Sequence, residues 1–261
     1  MSVLGSIIIG AGTSAAVYMT GAQVYAEYLF PAVFVYHIIT FTLTYPEATL
    51  IRKLIITFLL SFADLFVTAA IFQIQLPRKL WLWVLEYAII HYMVRQMTID
   101  EIKQLLSHEL VRLPIFILPG YIKSLSLLST LCILTCEYDL KNLKGFVVLL
   151  VAGVLKMTST IGVYYLDKLS LGGRFDRLSV DEIWNKFKVY VFGVCIAVEV
   201  CAYYERPIKE FNWSKSGNLI ESYMFGYNLS QSYLVPGIFF AGVYAYQSYN
   251  YGKILKERIE E

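Results

Sequence analysis

The sequence predicts an all-α integral membrane protein with seven transmembrane helices, built as two inverted three-helix repeats plus a final helix. Three observations carry that reading. Of the 261 residues, 57% are hydrophobic and 16% charged, and the mean hydropathy is +0.58, outside the range of a soluble globular domain. Apolar runs close to the length of about 17–25 residues that crosses a bilayer recur at 29–45, 54–76, 79–97, 113–136, 143–166, 187–204 and 232–249. The first three runs and the next three also share one plan of helix, charged turn, helix, short turn, helix. An odd number of spans per copy inverts the second copy in the membrane.

The elements follow in chain order. Residues 1–28 form an N-terminal small-residue segment, 29–97 the first three-helix repeat, 113–204 the second, 232–249 the final helix and 250–261 a tail. The opening stretch "SVLGSIIIGAGTSAAVYMTGAQVY" is uncharged and rich in Gly, Ala, Ser and Thr. It reads as an extra N-terminal packing helix, a re-entrant piece or a surface helix. No basic region precedes its apolar part, as one would in a cleavable signal.

The net charge of +2, with no continuous stripe of Lys and Arg, excludes a nucleic-acid binder. The distribution of charge sets orientation. The 1–2, 3–4 and 5–6 loops and the C-terminal tail, with the span ends that border them, carry thirteen Lys/Arg against seven on the other side; Lys123 and Lys156 lie inside spans. The positive-inside rule therefore makes the tail "YGKILKERIEE" cytoplasmic and the start of the first span lumenal or extracellular. Both glycosylation sequons, at Asn212 and Asn228, fall in the 6–7 loop on the non-cytoplasmic side. The 21 tyrosines crowd span ends as an interfacial belt does.

Several polar residues fall inside the spans. Cys132, Cys136, Cys195 and Cys201 read as small buried apolar side chains, because no Cys/His cluster has the spacing of metal ligands. His37 and His91 read as core histidines with one bonded nitrogen, and Glu86 and Glu199 as carboxylates satisfied by Tyr or His at bundle contacts. The turn "LSLGGRFDRLSVDEIW" lacks the strand and spacing of a phosphate loop and reads as a cytoplasmic loop in which Ser179 caps a helix through Glu182.

Asp64, in "FLLSFADLFVTAAIF", carries the sharpest question. A charged residue at the centre of a lone span costs about 2.5–3.5 kcal/mol and needs a partner, water or an ion. The second members of the two repeats, "LIRKLIITFLLSFADLF" and "LKGFVVLLVAGVLKMTS", supply a candidate: Asp64 lies 11 residues after Lys53 and Lys156 lies 12 after Lys144. At about 1.5 Å per residue, both reach the same depth from opposite faces. Three readings stay open: a direct Asp64–Lys156 pair, a water-filled ion path, or local bonding of Asp64 to Ser61, Thr68 or a backbone carbonyl with Lys156 snorkelling outward.

From about residue 29 onward the chain resembles the trimeric intracellular cation (TRIC) channels of the endoplasmic and sarcoplasmic reticulum. The likeness runs through "LFPAVFVYHIITF", similar to the family's first span with its aromatic-proline entry and a His at the place of His37. It continues in "HELVRLPIFILPGYIKSL", where Leu113-Pro114 and Lys123 match a Leu-Pro and a Lys at the same separation. It ends in "NLKGFVVLLVAGVLKMTSTIGVYYLDKL", with Gly145-Phe146 at its opening and Lys156 at mid-helix. The resemblance implies a homotrimer in an intracellular membrane, with a cytosolic C-terminus. It also implies a potassium-type monovalent cation path between the second and fifth spans of each protomer. Asp64 would attract the cation, Lys156 would neutralise or gate it, and Lys123 would meet the headgroup of a bound anionic phospholipid.

Departures from the family pattern bear on this reading. The family's second and fifth spans are interrupted by Gly-Gly steps, and the matching positions here are Ala63-Asp64 and Ser159-Thr160. Without glycine those helices have less reason to break. The family also places an Arg one turn after its lipid-binding Lys, where this chain has Leu127. The rival reading is therefore a non-conducting scaffold or assembly subunit of a membrane complex, with Asp64 and Lys156 as a buried lock. A membrane enzyme has little support: no catalytic set of His, Asp, Glu or Cys occurs at a membrane–water boundary.

Overall fold

The computed structural model describes residues 30–72, 76, 80–138, 142–170, 180–203 and 234–260, with isolated positions 5, 8 and 12. Among the described residues there are eight helices and no strand: α1 (Pro31–Thr44), α2 (Leu50–Phe72), α3 (Leu80–Arg95), α4 (Ile99–Ser107), α5 (Glu109–Glu137), α6 (Leu143–Ser170), α7 (Val180–Tyr203) and α8 (Leu234–Glu260). The described part of each of the seven expected runs falls mostly on a helix. The 1–28 segment as a whole, both sequons and the Ser179 cap lie outside the described residues.

Three of these helices are long and apolar enough to cross a membrane, over Leu50–Ile71, Glu109–Thr135 and Leu143–Asp167. Helix α1 is apolar but has 14 residues, about 21 Å against a hydrocarbon core of about 30 Å. Pro31 opens it, where a missing N–H costs nothing. Helix α5 absorbs Pro114 and Pro119 in its interior, which frees the carbonyls of Leu110 and Ile115 from the helical ladder. The short helix α4 was not expected. Its start is a capping box, in which Thr98 Oγ1 accepts from Glu101 N at 3.3 Å and Glu101 Oε2 accepts from Thr98 N at 2.6 Å.

The helices fall into two compact units, Met1–Thr57, Lys79–Ser124 and Gly237–Glu261 in the first, and Phe58–Arg78 and Leu125–Pro236 in the second. In the first unit α1 packs on α3 through stacked Phe30 and Trp83 rings (4.3 Å) and an edge contact of Phe34 with Tyr87 (5.8 Å). The Tyr87 hydroxyl lies 2.7 Å from the Leu54 carbonyl and 2.6 Å from the Thr57 hydroxyl, tying α3 to the start of α2. Helix α8 lies on α5 through Ala241 and Ala245 against Ile117 and Leu113. Small side chains let the two backbones approach closely: a Cβ at Gly120 would sit 2.9 Å from the Phe240 carbonyl oxygen.

In the second unit α6 packs on α7. Leu149, Ala152 and Gly153 are buried on one helix and Val194, Ala197, Val198 and Cys201 on the other. The opposite face of α7 carries exposed Phe192, Cys195 and Glu199. Two expectations are corrected by this geometry: Cys195 is not buried, and Glu199 is not held at a bundle contact. Both fall outside the packed stripe of Val194, Ala197, Val198 and Cys201. Cys132 and Cys201 are buried.

Candidate functional site

Three helices contribute four residues of the second unit to one polar cluster. Helix α2 carries Asp64 and, one turn later, Thr68; α5 carries Ser126; α6 carries Lys156. Thr68, Ser126 and Lys156 are buried, Lys156 to 1% exposure, whereas Asp64 is half-buried. Ser126 Oγ donates to Asp64 Oδ2 at 3.1 Å, and the Leu65 N–H donates to Oδ1 at 3.0 Å. Lys156 Nζ donates to Thr68 Oγ1 at 2.9 Å, and that hydroxyl donates to the Asp64 carbonyl oxygen at 2.6 Å.

The Lys156 ammonium thus reaches the Asp64 backbone carbonyl, and not its carboxylate, through one hydroxyl. No ion pair joins them among the described residues, so the direct contact considered from the sequence is replaced by a Thr68 bridge. The Asp64 charge still acts on the ammonium through space. Thr68 entered the sequence reading only as a local partner for Asp64; its i+4 spacing from Asp64 was legible, but its service to Lys156, 88 residues away, was not. Other hydroxyls around the cluster bond back to their own helices, Thr130 to the Ser126 carbonyl (3.0 Å) and Ser159 to the Lys156 carbonyl (2.7 Å). Helices α2 and α6 run unbroken through Ala63-Asp64 and Ser159-Thr160.

Lys123 belongs to the first unit. It is buried, with Nζ 5.9 Å from the centre of the Tyr244 ring, within cation–π range. Its charge reaches His37. His37 is buried with no hydrogen-bond partner on either ring nitrogen, a correction to the expected single bond; its ring centre lies 5.1 Å from that of Tyr36. Leu127 is fully buried. Asn212 lies outside the described residues.

No family model, curated protein or solved structure matches the chain.

One residue that sequence reasoning passed over is Arg112. Its side chain is 4% exposed, and Nη1 donates to the Leu106 carbonyl oxygen at 3.1 Å, satisfying an orphan acceptor at the C-terminal end of α4. Gly252 of α8 lies beneath the guanidinium, where a Cβ would meet Cζ. The signal was present as a small residue every three or four positions along α8, at Gly237, Ala241, Ala245, Ser248 and Gly252. No group of three or more His, Cys, Asp or Glu side chains is placed to hold a metal among the described residues.

Proposed function

We propose that the chain is a TRIC-like channel for monovalent cations such as potassium in an intracellular membrane, endoplasmic reticulum included, with seven spans, a cytoplasmic C-terminus and an ion path between α2 and α6 in each protomer of a homotrimer. The observation that carries the reading is a buried ammonium, Lys156, bonded to Thr68 one turn after the Asp64 carboxylate whose charge acts on it, on two helices that are each long and apolar enough to cross a membrane. Ionisable groups kept at such depth by default mark a pathway or a relay. Apolar side chains turned outward support immersion in lipid: Val147, Val151 and Leu155 on α6, and Trp81, Leu85 and Ile89 on α3. In this mechanism Asp64 concentrates cations, and Lys156 opposes their passage while bonded to Thr68. The channel opens when the ammonium leaves that hydroxyl. The reading assigns no catalytic residue.

A second reading, a non-conducting scaffold subunit of the same fold, is favoured by the unbroken course of α2 and α6. Purified protein in planar bilayers under a potassium gradient separates the two. The channel reading expects cation-selective openings that shrink in Asp64→Asn and grow in Lys156→Met. Folded protein that stays silent at all potentials overturns it and leaves the scaffold.

A further inference from the structure

A cavity of about 200 Å³ opens in the first unit where α1 ends, α2 begins and α3 gives way to α4. Three of its ten lining residues, Lys53, His91 and Arg95, are basic, and none is acidic; Leu50, Val94 and Met97 add apolar wall. At about 30 Å³ per liquid water, the space holds a group several waters in size. Arg95 is exposed, so the cavity reaches the surface.

Among the described residues neither Lys53 nor Arg95 forms an ion pair with a carboxylate. Lys53 Nζ donates to the Pro46 carbonyl oxygen at 2.9 Å, which anchors the ammonium and engages one of its three donors. Arg95 makes no hydrogen bond or ion pair among the described residues. Both charges act on His91. The neighbouring carboxylates are occupied or turned away: Glu101 is held by Thr98, Asp100 lies 3.5 Å from Lys103, and Glu47 is exposed and forms no part of the wall. The first turn of α2, which carries no acidic residue, adds the positive end of a helix dipole.

We propose that this cavity binds a phosphate group, with Arg95 as the forked donor, Lys53 as a point charge and His91 as a third donor. Because α2 begins here and is able to cross a membrane, the phosphate belongs to the headgroup of an anionic phospholipid, with Leu50, Val94 and Met97 against its glycerol end. The site rests on α2 lying in a membrane and not on conduction. It is distinct from Lys123, which lies against Tyr244.

The test uses the purified full chain and native mass spectrometry with phosphatidic acid and phosphatidylcholine of equal acyl chains. Glycerol 3-phosphate serves as the soluble competitor. Wild type retains phosphatidic acid over phosphatidylcholine; Lys53→Gln and Arg95→Gln each reduce retention about five-fold, and Lys103→Gln, outside the cavity, leaves it unchanged. Ala48→Phe fills the space with every charge kept and expels the lipid, which preserves the test should a charge variant misfold. Equal occupancy by glycerol 3-phosphate and phosphatidic acid, lost in the same variants, supports the phosphate site and assigns it a soluble ligand. Phosphatidic acid retention unchanged in both Arg95→Gln and Ala48→Phe, or preference for an acidic peptide over either phosphate probe, overturns the proposal.

Discussion

Thr68 holds the most exposed consequence of the site at the scale of single residues. Its hydroxyl accepts from the buried Lys156 ammonium and donates to the Asp64 carbonyl oxygen in the same place. Thr68→Val keeps the shape and removes the acceptor, leaving a buried charged donor unsatisfied at a cost of about 1–3 kcal/mol or more. Lys156→Met removes the donor as well, and an apolar pair of similar volume is close to neutral where a broken polar contact is not. Thermal unfolding of wild type, both single variants and the double variant is expected to show Thr68→Val clearly destabilised and Thr68→Val/Lys156→Met recovering most of the loss. Strict additivity across the four proteins would mean that Lys156 is held by something other than this bridge.

Helix α8 depends on the absence of side chains on its partner. Gly120→Ala puts a methyl group against the Phe240 carbonyl oxygen and the Tyr244 ring at 2.8–2.9 Å, and backbone cannot yield as a flexible side chain does. Overpacking of this kind costs about 1–3 kcal/mol. The variant is expected to unfold at lower temperature, with faster hydrogen exchange in α8 than in α6 or α7; uniform exchange would place the damage elsewhere. Helix α4 responds to pH instead. The Thr98 backbone N–H, then its hydroxyl, hold the Glu101 carboxyl below its ordinary value. A carboxylate with a depressed folded pKa stabilises fully above its unfolded value of about 4.3 and loses that stabilisation as pH falls through the lower folded value. Exchange in α4 is therefore expected to quicken below the ordinary glutamate range, and Glu101→Gln to abolish that acid step. An acid step that persists in Glu101→Gln belongs to another group.

For the whole molecule, orientation is the quantity that organises all proposed sites. In the proposed orientation, the excess of Lys and Arg on one side of the seven runs would set the tail in the cytoplasm and the 6–7 loop in the lumen. Ser216→Cys in that loop is expected to react with an impermeant maleimide only after the organelle membrane is opened. Labelling with the plasma membrane alone permeabilised reverses the orientation and moves the basic cavity of Lys53 and Arg95 to the lumenal side.

The placement of the long helices was legible from sequence alone, because an apolar run near bilayer length leaves the backbone few ways to satisfy its hydrogen bonds other than a helix. Asp64, Lys156 and Lys123 also stood out, since a charge among apolar residues is costly anywhere. The capping box of α4 was written in Thr98 and Glu101, yet a nine-residue amphipathic helix leaves a weak imprint beside spans of more than twenty. What the charges touch was decided only by tertiary structure. Equal depth along two helices fixes one coordinate of a pair, whereas rotation about each helix axis determines whether Lys156 meets a carboxylate or the Thr68 hydroxyl four residues on. The same limit hid the gathering of Lys53, His91 and Arg95 around one cavity and the seat of Arg112 against Gly252, contacts between residues that no local period relates.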